Sequence, residues 1–372
     1  GEGSLIGPVH RMAARLDGLA ELVSGSFSSN PDISELTGRT EGVPDSRIYA
    51  TWQEMISRER ELPEIIRPHF ISIVTPNHLH FGPAKMALEA GFHVICDKPL
   101  CISVAEAEEL QKTVERTGRL FCLTHNYTGY PMVKRAREMV LSGELGTITK
   151  VIVEYLQGWM RTHVEKSGNR QAVWRSDPSR AGIAGTMADI GTHAFNLAEY
   201  ITGQDVTSLS AILRSVVPGR MLDDDGTVSL FFGSGMDGTL LASQIATGEE
   251  NNLTIRIYGE KGGLRWSQME PNSLTLLWPD APVQILRTGT TYPGMCKITA
   301  THTRIPAGHP EGFIEAFANL YRNFLLHLTA FTEGRDHDAL LDYPSIREGL
   351  RGMRFLEAVV ESSAKGSAVT AL

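Results

Sequence analysis

Val94-Ile95-Cys96-Asp97-Lys98-Pro99 decides how this chain is read. A short β-branched run closes on an acid, a lysine and a proline, immediately before the helix-like Val104-Ala105-Glu106-Ala107-Glu108-Glu109-Leu110. In an open parallel sheet, ligands bind in the crevice beyond the carboxyl ends of the strands. A lysine placed there, between an acid and a rigid proline, can face a bound substrate. An isolated Asp-Lys-Pro reads equally as a surface turn, so the rest of the chain has to decide.

Working outward, residues 1–125 alternate short apolar strands with amphipathic helices, the pattern of a doubly wound parallel sheet. Helices are predicted over Leu5–Leu16, Trp52–Arg58, His78–Ala90 and Val104–Arg116. Strands are predicted over Leu22–Phe27, Phe70–Thr75, Val94–Cys96 and Leu120–Thr124. Gly91 suits the end of the third helix. After residue 125 the texture changes. A helix over Met132–Leu141 precedes a long alternating strand, Thr147–Gly158, and a helix containing Leu197–Ile201 ends near Gly203. From Thr207 to Leu286, strand-like runs separated by Gly, Asp, Asn and Pro predict one large, mostly antiparallel sheet. Helices follow over Gly312–Phe331 and Ser345–Ser362. The reading is α/β: a nucleotide-binding domain over 1–125 and a substrate-binding and oligomerisation domain over 126–372.

The 372 residues suffice for two cores. With 42% hydrophobic and 21% charged residues the composition is that of a globular protein, and a net charge of −8 argues against a nucleic-acid partner. No apolar run has the length of a membrane span, and no leader pattern opens the chain. The four cysteines, Cys96, Cys101, Cys122 and Cys296, lack metal-ligand spacing, which predicts a reduced, cytoplasmic protein.

Gly1-x-Gly3-x-x-x-Gly7 opens a helix, as a turn does when it brings backbone N–H groups against a pyrophosphate. The spacing is one residue wider than the usual G-x-G-x-x-G, so an ordinary glycine-rich loop stays open as an alternative. Such a turn is expected to follow a strand. Gly1 opens directly on it, and a polypeptide beginning there is expected to hold a dinucleotide weakly. After the second strand, where an acid would bond the adenosine ribose, stands Ser28-Ser29-Asn30. Serines can bond a ribose hydroxyl or a 2′-phosphate. Downstream of this segment no Arg or Lys lies closer than Arg39, which favours NAD over NADP.

Thr75-Pro76-Asn77-His78-Leu79-His80 also follows a strand and faces the crevice. Asn77 serves there as a helix cap or as a cofactor contact. His78 and His80 lack a carboxylate or cysteine partner, so no metal is expected. Asp189-x-x-x-His193 lies in a helical run, where positions i and i+4 share a face. Oxidising a secondary alcohol needs a base for the hydroxyl proton, and a histidine oriented by a carboxylate suits that role, with Lys98 polarising the same oxygen. The alternative is a capping Asp189 and a core His193.

Together these segments resemble the glucose–fructose oxidoreductase, inositol dehydrogenase and rhizopine-catabolism (Gfo/Idh/MocA) family over essentially the whole chain. The resemblance implies a Rossmann domain followed by an α/β domain with an open sheet that builds dimers or tetramers. It implies Lys98, Asp189 and His193 as catalytic triad. It places cofactor contacts at Gly1, Gly3, Ser28, Ser29, Thr75, Asn77, His80, Asp97, Lys98 and Asn126, with Trp174-Arg175 reaching over from the second domain. Asp97 stands where glutamate is more frequent in the family. Tyr127 and Gln157 join Lys98, Asp189 and His193 as expected substrate contacts. The polar and aromatic groups of His125–Tyr130, Tyr155, Trp159, Arg304 and His309-Pro310-Glu311 suit a sugar or cyclic polyol, although Tyr155 and Trp159 equally suit sheet core. Two further activities are compatible with the fold: an NAD-dependent glycoside hydrolase, and a non-catalytic sugar or cofactor sensor. Retention of all three triad residues argues against the sensor.

Overall fold

A computed structural model describes residues 6–289 and 296–372. Gly1 and Gly3 lie outside them, while Gly7 is buried in the first turn of α1 (Ile6–Leu16). Helices α2 (Pro31–Thr40) and α3 (Trp52–Arg60) follow, each started by a side-chain cap, Asn30 and Thr51 respectively. Then come β1 (Phe70–Ile73), α4 (Phe81–Glu89), β2 (His93–Cys96), α5 (Val104–Thr117) and β3 (Phe121–Leu123). The three strands pair in parallel in the order β1-β2-β3. Strand β2 is central and wholly buried, as a strand flanked on both sides has to be; its Val94-Ile95-Cys96 are apolar, and His93 accepts from the Leu120 N–H at 2.8 Å. Its last residue, Cys96, delivers Asp97 and Lys98 to the carboxyl edge of the sheet.

Two N-terminal elements differ from the expectation. Leu22–Phe27 makes no strand; Gly25 forms a single parallel bridge to Ile48, and no other ladder partner lies beside the segment among the described residues. A strand exists only where a neighbour takes its hydrogen bonds. The helix expected from His78 begins at Phe81 instead, after a separate 3-10 turn over Asn77–Leu79. Pro83 has no N–H to return to the Leu79 carbonyl. The Thr75 hydroxyl donates to that carbonyl instead, at 2.9 Å.

The remainder supplies α6 (Pro131–Leu141), β4 (Ile148–Leu156), the short helices α7 (Arg170–Arg175) and α8 (Pro178–Ala181), and α9 (Thr192–Thr202). Strands β5 (Val206–Arg214), β6 (Asp225–Phe232), β7 (Asp237–Ser243), β8 (Asn252–Gly259), β9 (Gly263–Ser267), β10 (Ser273–Trp278) and β11 (Ala281–Arg287) follow. Helices α10 (Lys297–Thr301), α11 (Phe313–Thr332) and α12 (Ile346–Ala364) precede a last strand, β12 (Thr370–Ala371), which the sequence did not reveal. These strands form one nine-stranded sheet in the order β11-β10-β9-β8-β4-β7-β6-β5-β12. Only the β4–β7 pair is parallel. One face of the sheet is buried under α6, α9 and α12; the other alternates outward partly exposed residues such as Ile152, Glu154 and Leu156.

The C-terminal helices return to the first sheet. Helix α11 packs on α1, and the Tyr321 hydroxyl bonds both His10 Nδ1 and Ser72 Oγ at 2.8 Å. Helix α11 also lies so close to the turn at Asn126–Gly129 that a Cβ on Gly129 would stand 2.1 Å from the Ala316 carbonyl oxygen. That turn carries Asn126 and Tyr127, so α11 fixes the floor of the crevice.

Candidate active site

The crevice beyond the carboxyl ends of β1–β3 meets the start of α9. Lys98 Nζ lies 3.1 Å from Asp189 Oδ1 and also bonds the Asp189 backbone carbonyl. Asp97, one residue earlier, accepts from its neighbour's N–H and from the Thr124 hydroxyl, each at 2.9 Å. The Lys98–Pro99 peptide bond is cis.

Asp189 lies in a π-helical turn, Met187–Gly191, that leads into α9; the sequence predicted an ordinary α-turn. The Asp223 carboxylate starts this turn, accepting from the N–H groups of Gly185 (2.6 Å) and Met187 (2.8 Å). Gly185 is required here, since a Cβ would meet the Asp223 carbonyl oxygen at 2.4 Å. The Asp189 carboxylate is fully engaged away from His193. Its Oδ2 accepts from Gln244 Nε2 at 2.8 Å and lies 3.0 Å from Arg175 Nε. The expectation that Asp189 orients His193 is therefore corrected: among the described residues no hydrogen bond joins them. Burial would raise the Asp189 pKa, but Arg175 and Lys98 outweigh it and hold the carboxyl well below the usual carboxylate range.

His193 is 7% exposed, and among the described residues its ring bonds only His125, with the two Nδ1 atoms 3.4 Å apart. Its Nε2 has no hydrogen-bond partner among the described residues. Burial, then the charge of Lys98, pushes its pKa well below the ordinary histidine value, which favours the neutral ring. The Tyr127 ring lies edge-on to it at 4.8 Å.

Tyr127 and Gln157 do converge here, but their polar atoms are largely used by the protein. Asn251 Nδ2 donates to the Tyr127 hydroxyl at 3.1 Å, and Asn251 Oδ1 accepts from Tyr155 (2.7 Å) and Gln157 (2.8 Å). Gln157 Oε1 accepts from Trp159 Nε1 (2.9 Å) and from Gln244 (3.1 Å). One chain of hydrogen bonds thus runs from Asp189 through Gln244, Gln157 and Asn251 to the tyrosines beside His193. Gln244 and Asn251 were missed because each is an amide at a strand end, without a motif around it.

Other expected contacts fall as follows. Ser28 and Ser29 precede α2, and Ser28 Oγ accepts from the Asn30 N–H at 3.1 Å. Asn77 caps no helix; it donates to the Ala181 carbonyl at 3.3 Å, tying the first sheet's edge to α8. His80, expected at the cofactor, is wholly buried with both ring nitrogens on carbonyls, Pro99 at 2.8 Å and Thr75 at 2.7 Å. It holds two crevice loops together rather than presenting a donor to a ligand. Trp174 stacks under the Arg175 guanidinium at 4.2 Å, and Arg175 reaches Asp189. Arg304 and Glu311, expected near the substrate, pair with one another, and Arg304 also pairs with Asp17 just beyond α1, so Arg304 ties these segments together.

Two buried polar atoms at this edge, Asn126 Nδ2 and His10 Nε2, have no hydrogen-bond partner among the described residues, and His10 Nε2 lies 4.0 Å from Asp97 Oδ1. Buried polar groups are paired as a rule. Unpaired polar atoms beside a carboxylate and a lysine fit the ribose hydroxyls and carboxamide of a nicotinamide dinucleotide.

Comparison with known proteins agrees. Residues 4–125 match the oxidoreductase family model with an NAD-binding Rossmann fold, and residues 133–265 match the GFO/IDH/MocA C-terminal domain. An oxidoreductase structure from Sinorhizobium meliloti is 41% identical, with TM-score 0.88, covering 99% of this chain and 97% of that one. An inositol dehydrogenase homologue from Azotobacter vinelandii, complexed with NADH and myo-inositol, is 32% identical with TM-score 0.91, covering 100% and 95%. Levoglucosan dehydrogenase of Pseudarthrobacter phenanthrenivorans is 26% identical over 91% of this chain and 87% of its own length. A nucleotide crevice that meets a lysine, an aspartate and a neutral histidine, on this fold and with these relatives, places the chain in the Gfo/Idh/MocA family of NAD(P)-dependent oxidoreductases.

Proposed function

We propose that the protein oxidises a secondary hydroxyl of a sugar or cyclic polyol, with Lys98, Asp189 and His193 as its catalytic residues. The observation that carries this reading is the contact of Lys98 with Asp189 beside His193, whose Nε2 has no hydrogen-bond partner among the described residues. Residues 1–125 bind the cofactor in this reading, through Ser28, Ser29, Thr75, Asp97, Lys98 and Asn126, with Trp174 and Arg175 closing from the second domain. Bound NAD(P) supplies a hydride acceptor. Lys98 binds the substrate hydroxyl oxygen and lowers its pKa; His193 Nε2 takes the proton. Asp189 keeps the lysine ammonium in place, and is itself held by Gln244 and Arg175. The rings of Tyr127 and Tyr155 exclude water from the side of His193.

The substrate class is supported by the names of the similar inositol and levoglucosan dehydrogenases and by the amide- and tyrosine-rich wall. NAD is favoured over NADP, because Arg39, the first cation after Ser28-Ser29, is already paired with Glu35 and Asp45. The outward sheet face, with Ile152, Leu156 and Leu241 and the 48%-exposed Ile212, suits a second copy of the chain. Four unpaired cysteines suit a cytoplasmic setting. Among the described residues no helix is long and apolar enough to cross a membrane. The test is a panel of inositols, anhydrosugars and aldoses with NAD+ or NADP+, following reduced nicotinamide. Net formation with a free polyol supports the proposal. Aglycone release from glycosides without net NADH would replace it with the hydrolase.

A further inference from the structure

The hydrogen-bond partner of His193 is His125, which follows β3 in the first sheet. The rings meet edge to face, with centroids 5.3 Å apart and planes at 81°. His125 is 2% exposed. The charged and titratable groups around the pair are Lys98 and Asp97 beyond β2, Tyr127 in the turn after β3, Tyr155 on β4 and Asp189 in the π-turn. The carboxylate nearest in sequence to His193 is committed elsewhere, and among the described residues no acid hydrogen-bonds either ring. Burial, with the charge of Lys98 added, keeps both rings neutral; the His125 pKa is pushed down to about 3.

Two neutral imidazoles meeting through Nδ1 share one proton, because opposed N–H groups or opposed lone pairs would repel. Two arrangements exist. If His125 donates, His193 carries its own proton on Nε2 and cannot act as a base there. If His193 donates, its Nε2 keeps a lone pair, and no group among the described residues bonds it.

Resting on the proposed reading of His193 as base, we propose that His125 is a positioning residue: its Nδ1 accepts the Nδ1–H of His193, fixing the tautomer whose Nε2 receives the hydroxyl proton. After the transfer, the same neutral acceptor steadies the imidazolium through a charge-assisted hydrogen bond. This is the work a carboxylate does in a serine-protease triad, carried out by a second histidine.

The test is long-range 1H–15N NMR of the full chain labelled at histidine nitrogens, with resonances assigned through His125→Asn and His193→Asn. His193 should show a protonated Nδ1 and a pyridine-like Nε2 at neutral pH. It should keep that tautomer in His125→Asn, whose amide oxygen can accept the same bond, and lose it in His125→Leu. With myo-inositol, levoglucosan and NAD+ as probes, His125→Leu should lower kcat about 30-fold or more with KM within about threefold, and His125→Asn should recover most of the loss. A protonated Nε2 on His193 in the unaltered protein, or a kcat in His125→Leu within about twofold of it, overturns the proposal. If the unaltered protein turns over neither probe, the substrate reading loses its support, while the tautomer in the unaltered protein still decides the role of His125.

Discussion

Lys98 and Asp189 stand 91 residues apart in sequence, yet Lys98 Nζ is bonded to both the carboxylate and the backbone carbonyl of Asp189. The contact joins the edge of the parallel sheet to the helix that opens the antiparallel half. Both side chains are largely shielded, at 12% and 16% exposure, so water and salt screen their attraction less than that of a surface salt bridge.

Replacing Lys98 by Met removes the cation from both neighbours. Turnover in the proposed reaction should fall by about two orders of magnitude or more. Lys98 also depresses the His193 pKa, so its removal should move that pKa upward. NMR titration of His193 in Lys98→Met reads this without any substrate. An unmoved titration would show that the two groups do not sense one another.

Gln244 holds the network behind the carboxylate. Its Nε2 serves Asp189 and Gln157, while its Oε1 accepts from the Thr186 hydroxyl at 3.0 Å. Gln244→Leu leaves buried partners unsatisfied, at about 1–3 kcal/mol each. Urea denaturation should show a loss of that size, and kcat should fall because Asp189 is less firmly placed. Full stability in this variant would mean that water replaces the amide.

The adenosine end carries its own expectation. With Ser28 and Ser29 in place of an acid and Arg39 already paired, a 2′-phosphate gains no free cation from Arg39. Fluorescence titration should give NADH about tenfold tighter than NADPH, roughly 1.4 kcal/mol. Equal affinities would point to a cation elsewhere that meets the phosphate.

Buried histidines give the fold a pH dependence. Burial, as the chief cause, lowers His10 and His93 from 6.5 to about 4, and His125 and His302 to about 3. Between those values and 6.5 the unfolded chain binds protons that the folded chain refuses. Stability from these groups is therefore complete above pH 6.5 and falls as the pH drops below it, by about 1.4 kcal/mol per pH unit for each histidine. Urea midpoints measured from pH 7.5 to 5 should fall steadily; a flat profile would contradict the burial of these rings.

Much of the fold was legible in one dimension, because the periods of apolar residues report which faces are buried. The β2 run ending at Asp97-Lys98, the α5 helix, the alternation of β4 and the strand-rich stretch after Thr207 all follow from local pattern. Residue chemistry likewise singled out Lys98, Asp189 and His193, and the structure brings the first two into contact with the third beside them. Three-dimensional packing decided the remainder. The segment Leu22–Phe27 looks like a strand, yet strand formation depends on a neighbour that local pattern does not contain. Spacing alone put Asp189 and His193 on one helical face, but the π-turn, the distant Arg175 and the strand-end Gln244 turned the carboxylate toward Lys98. His125 became the partner of His193 only through the docking of one sheet's edge against the helix of the other. Hydrogen-bond partners far apart in sequence are chosen by tertiary packing, since a polar side chain withdrawn from water must find whichever group the fold places within its reach.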